Sequence, residues 1–176
     1  MHSKIKALLL FLVTASVLLS GCVGQGRSDQ NISTTVASAG PTLSAQGTYL
    51  TELNLGVADH SSGRDAFENA TILWDRGDLA DASEMFQVAD AKFSGAAAHY
   101  NNMEGYAVNS SDQEFAHDLG ASANDMHMAS EQFILAINAS LAGNSTEALT
   151  YFDEGHDLVN ASMVETNASL LILPSI

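Results

Sequence analysis

Six histidines and 21 carboxylates are the groups in this 176-residue chain best suited to bind a metal or move a proton. Glu114-Phe-Ala-His117 and Asp153-Glu-Gly-His156 each place a carboxylate three residues before a histidine, a spacing that puts both groups on one helix face. As a joint site the two stretches fail on height. Counted from Gly143, His117 is 26 residues away and His156 is 13, a gap of about 20 Å along antiparallel helices rising 1.5 Å per residue. A second set lies closer to one level: His60 is 17 residues from Gly77, while His127 is 16 and His156 13 from Gly143, a spread of roughly 6 Å. Met126 and Met128 flank His127, and imidazole with thioether suits copper or haem. His60, His127, His156 and Met126 are therefore the candidate metal ligands. His60 and His156 also fall on apolar seams, where a hydrogen-bonded core histidine is the commoner outcome, so the leading expectation is a chain with no cofactor.

Nucleophilic catalysis has little to work with. There is no Gly-x-Ser-x-Gly and no phosphate-cradling glycine loop. Arg64 and Lys92 stand as isolated cations, and the carboxylates are spread as a solvated acidic surface rather than as acid–base pairs. The expectation is a non-enzymatic protein. A formal charge of −15 repels phosphate backbones, which argues against nucleic acid as a partner.

The single cysteine carries more information. The chain opens MHSKIKALLLFLVTASVLLSGC: Lys4 and Lys6 precede an apolar stretch, Ala7 to Leu19, and small residues lead into Cys22. This is the layout of a secretory signal peptide. Thirteen apolar residues fall short of the roughly 20 that cross a bilayer as a helix. Leu19-Ser20-Gly21-Cys22 resembles the lipobox of prokaryotic lipoproteins. That resemblance implies removal of residues 1–21, lipidation of Cys22 as the new N-terminus, and attachment to the extracytoplasmic face of the cell membrane. Processing would leave Arg27, Arg64, Arg76 and Lys92 against 21 acids, a net of −17.

Residues 22–47, rich in Ser, Thr, Gly and Gln without an apolar period, read as a flexible tether. Residues 48–172 read as a helical domain. Turn-forming clusters centre on Gly77-Asp78, Asn109-Ser110-Ser111 and Gly143-Asn144-Ser145, 33 residues apart. Between them apolar residues recur in steps of three and four, as in Ala82, Phe86, Ala89, Phe93, Ala96, Tyr100 and Met103. This predicts an all-α, up-down antiparallel four-helix bundle with rods of roughly 45 Å. Ser61-Ser62-Gly63 is a possible break in the first rod. Asp78, Ser111 and Ser145 are the expected N-caps.

The second half repeats the first at an offset of 66: Ala70, Gly77, Ala82 and Phe86 match Ala136, Gly143, Ala148 and Phe152. In the first copy Gly77-x-Leu79-x-x-Ala82-x3-Phe86-x2-Ala89 resembles the helix–turn–helix core of a tetratricopeptide repeat. The resemblance implies helical hairpins and a protein-binding groove near Trp74, Phe86 and Phe152. The same aromatics also suit a core.

Asn-x-Ser/Thr occurs at Asn31, Asn69, Asn109, Asn138, Asn144, Asn160 and Asn167, against about 2 expected by chance among 11 asparagines. The first five are the accessible candidates for N-glycosylation, and Asn160 and Asn167 lie nearer a seam. Lipobox, sequons and acidity together resemble an archaeal cell-surface lipoprotein. The expectation is a scaffold or interaction module that touches the membrane through the lipid on Cys22 and meets another envelope protein. A metal- or haem-binding bundle is the alternative.

Overall fold

A computed structural model describes residues 43–172 as four antiparallel helices: α1 (Leu43–Arg76), α2 (Leu79–Glu104), α3 (Ser110–Leu141) and α4 (Ser145–Leu171). The up-down four-helix bundle expected from the periodicity is present, with no strand among the described residues. Backbones pack closely between consecutive helices, α1 on α2, α2 on α3 and α3 on α4. Each helix runs 26 to 34 residues. A single rod is thus about as long as an entire tetratricopeptide unit of about 34 residues.

The two hairpins turn in the same way. Gly77 and Gly143 adopt φ of 86° and 77°, the left-handed region that costs a side chain most. The Asp78 amide then bonds back to Leu73 O and the Asn144 amide to Ala139 O, closing a Schellman-type end over the carbonyls of the preceding helix. The helix N-caps are Asp78, Asn109 and Asn144, one or two residues ahead of the expected serines in the latter two cases. Only Asn109 caps through its side chain, whose oxygen accepts from the Asp112 amide at 2.9 Å.

Tight hairpin packing comes from small residues facing large ones at heptad spacing. A methyl built on Gly56 would stand 2.5 Å from the Tyr100 ring, and one on Gly63 3.0 Å from the Phe93 ring. Gly56, Gly63 and Ala70 on α1 mirror Tyr100, Phe93 and Phe86 on α2 about Asp78. Moved by 66 residues, the same positions are Ser122, Ala129 and Ala136 on α3 against Thr166, Val159 and Phe152 on α4. Ser122 Oγ does meet Thr166 Oγ1, at 2.8 Å, and Ser162 Oγ at 2.9 Å, so the buried hydroxyls satisfy one another. The repeat seen in sequence is a repeat of helix register.

Two expectations about α1 change. Ser61-Ser62-Gly63 does not interrupt the helix: Ser62 Oγ donates to Ala58 O at 2.9 Å, and Gly63 is buried beneath Phe93. The helix also begins at Leu43 rather than near 48. Its polar first turns look like tether in sequence, yet Tyr49 anchors them, 4% exposed and donating its hydroxyl to Asp112 O.

Rings close the bundle at the end that carries Gly77 and Gly143. Phe86 and Phe133 stack at 5.1 Å, and Phe67 and Trp74 of α1 meet both. Phe152 of α4 touches Trp74 at 5.6 Å and Phe133 at 5.6 Å. Such pairs contribute about 0.5–1.5 kcal/mol each beyond burial. They tie α1 to α3 and α4, where the backbones pack less closely than between consecutive helices. No described helix is long and apolar enough to cross a membrane.

Candidate functional site

The four expected metal ligands do not converge. His60, on α1, faces the rings of Phe93 at 5.3 Å and Tyr100 at 6.3 Å. Burial, then the nearby Arg64 charge, pushes its imidazole down to about 4, so it is neutral at physiological pH. His156, on α4, packs on Phe152 at 4.6 Å and Phe133 at 5.7 Å. Its pKa also falls through burial, opposed by Asp153 and Asp157. Met126 is buried in the α3 seam. His60 and His156 are thus half-buried ring partners, and His60 Nδ1 is buried without a hydrogen-bond partner, unlike the hydrogen-bonded histidine expected on a seam.

His127 has a different neighbourhood. On the α2–α3 face its Nδ1 sits 2.5 Å from Asp90 Oδ1, with both side chains about one-quarter exposed. The two atoms are shut off from solvent and lack the alignment of a hydrogen bond. Glu131, one helical turn beyond His127, brings a carboxylate oxygen so that the three donor atoms lie within 4.8 Å of one another. Among the described residues this is the place where three His, Cys, Asp or Glu donors gather. The His127-x3-Glu131 spacing was visible in sequence. Asp90 was not, because it depends on the α2–α3 register.

Lys92, read as isolated, pairs with Asp59 at 2.8 Å across α1 and α2. Beside it His99 Nδ1 meets Glu52 at 2.7 Å. The Lys92 side chain is 45% exposed, so its pair contributes little to stability.

Of the aromatics considered for partner binding, Phe86 is fully buried, whereas Trp74 and Phe152 are half-buried in the ring cluster. Cys22 and Asn31 lie outside the described residues. Asn69, Asn109, Asn138 and Asn144 are all exposed. Asn160 and Asn167 are exposed too, contrary to their expected place nearer a seam. Their Ser162 and Ser169 are buried in the α4 packing, so these two hydroxyls have a structural use of their own. The Asn109 amide nitrogen is engaged by Asp112 at 2.9 Å and that of Asn144 by Glu147.

No family model, curated protein or solved structure matches the chain.

Proposed function

We propose that the chain is a lipid-anchored extracytoplasmic module that holds another envelope protein instead of turning over a substrate. The observation that carries this reading is Leu19-Ser20-Gly21-Cys22: the only thiol of the chain closes a basic-then-apolar leader in a lipobox-like tetrapeptide. Lipidation gives stable attachment when two acyl or ether chains are buried, at about 0.8 kcal/mol per CH₂.

The domain suits that station in three respects. Exposed sequon asparagines at Asn69 and Asn138 present unengaged sites for sugar on helix surfaces. An acidic surface keeps the domain away from anionic headgroups, leaving it free to meet a neighbour. Antiparallel packing puts the start of α1 at one end and the Gly77 and Gly143 turns at the other, about 50 Å apart for a 34-residue helix. At that far end Leu141 and Leu149 are 63% and 55% exposed, near the half-buried Trp74 and Phe152. Apolar groups that project into water at the distal end are the natural contact for a protein partner.

Fractionation of cells making the wild-type chain and Cys22→Ala tests the proposal. The wild type should sediment with membranes in high salt and dissolve in detergent, and the variant should keep its leader uncleaved. Equal processing of both proteins would refute the lipid anchor.

A further inference from the structure

We propose that Asp90, His127 and Glu131 form a binding site for one divalent transition-metal ion on the α2–α3 face. This inference does not depend on the lipid anchor. It starts from an anomaly: Asp90 Oδ1 and His127 Nδ1 approach to 2.5 Å, are closed to water, and are not hydrogen-bonded to each other or to any other group. Buried polar atoms are almost always satisfied, so two facing orphans ask for something between or beside them. An ordinary imidazolium–carboxylate pair would place the N–H on the oxygen, and this one does not.

The third donor distinguishes the cluster further. Glu131 follows His127 by one helical turn, so both project from the same face of α3 toward Asp90 of α2. Donors about 2.0–2.2 Å from an ion lie at most about 4.4 Å apart. Three donors within 4.8 Å of one another therefore need only a small closure to share an ion, together with a small opening of the 2.5 Å Asp90–His127 contact. Helices hold two ligands rigidly on α3 and one on α2, while exposed Glu131 gives the ion a path from solvent and leaves positions for water. One imidazole nitrogen with two carboxylate oxygens favours Zn²⁺ or its neighbours. Ca²⁺ and Mg²⁺, which prefer all-oxygen shells, are poorly served. Two negative charges facing one imidazole, on a chain of net charge −15, raise the local cation concentration.

Zn²⁺ titration of the chelator-treated full-length protein in detergent, followed by calorimetry, tests the site. The wild type should take up one Zn²⁺ saturably, and Co²⁺ in its place should give a visible d–d spectrum. Glu131→Gln alters an exposed side chain and keeps the fold, yet should weaken binding at least about tenfold. His127→Gln should remove both the calorimetric signal and the spectrum, while His117→Gln, an exposed histidine elsewhere on α3, should change neither. Millimolar Mg²⁺ should not displace the ion. The proposal is overturned if no single-ion saturation occurs, if Glu131→Gln and His127→Gln bind as the wild type does, or if His117→Gln loses as much as they do.

Discussion

Gly63 on α1 lies directly beneath the ring of Phe93 on α2, so close that a methyl group at the glycine would stand 3.0 Å from two ring carbons and 3.1 Å from a third. The glycine is what lets two helices of 34 and 26 residues approach while a phenylalanine stays fully buried between them. In sequence the same residue looks like a helix breaker.

Two opposing terms decide what Ala does at these glycines. Helix propensity favours Ala by up to about 1 kcal/mol, and overpacking a closed core costs about 1–3 kcal/mol. At Gly63 the clash wins, and Gly63→Ala should lose about 1 kcal/mol in urea unfolding. Gly56→Ala, with Tyr100 at 2.5 Å, should lose about 2 kcal/mol. Gly47→Ala meets nothing within 4 Å and should gain a few tenths of a kcal/mol, roughly the propensity term near a helix end. Equal effects at all three positions would contradict the packing account.

Phe133 touches Phe67, Trp74, Phe86, Phe152 and His156, joining α3 to the other three helices. Phe133→Ala should cost about 3–5 kcal/mol and flatten the near-ultraviolet tryptophan signal, because Trp74 loses one of its ring neighbours. Leu135→Ala, at an exposed position on the same helix, should change unfolding by less than about 1 kcal/mol.

Acid should weaken the fold in part through His60. Its folded pKa, held down to about 4 by burial and then by Arg64, lies below the ordinary 6.5 of the unfolded chain. The unfolded state therefore binds the extra proton between these values. Stability tied to this group is complete above about pH 6.5 and is lost as pH falls toward 4, by up to about 3 kcal/mol. His60→Met installs the residue found at the matching position of the second hairpin, Met126, and should flatten the melting temperature between pH 4 and 6.5 relative to wild type. An unchanged slope would show that other groups carry the effect.

Sugar, if attached in the native host, should follow the surface. Asn69→Gln and Asn138→Gln should each lower the mass of the native protein by one glycan, since both asparagines are exposed and neither serves as a cap. Asn167→Gln should leave the mass unaltered except for the residue change, because its Ser169 is buried against Thr166 O. Intact-protein mass spectrometry reads each outcome.

The bundle was legible because its seams repeat over whole helices and its turns coincide with Gly77 and Gly143, whose positive φ the residue type announces. The offset of 66 was legible as matched residues, and the structure adds its meaning: Gly56 with Tyr100 and Ser122 with Thr166 occupy the same register. What escaped depends on contacts between helices. Lys92 looked solitary because Asp59 reaches it from 33 residues away, and Asp90 looked like surface because the α2–α3 register brings it to His127. The three histidines at similar height were separated by facing: height along a rod follows from counting, whereas the direction of a side chain depends on which neighbour its face meets. Leu43–Gly47 reads as tether by composition, and the docking of Tyr49, with Leu50 and Leu53 beside it, is what anchors this end of the helix.

Mass spectrometry of the N-terminal peptide from protein taken directly from native membranes tests the central proposal most directly. The anchor account predicts a chain that starts at Cys22, carrying thioether-linked lipid and lacking residues 1–21. A peptide that begins at Met1 with an unmodified Cys22 thiol, recovered from the soluble fraction, would contradict it.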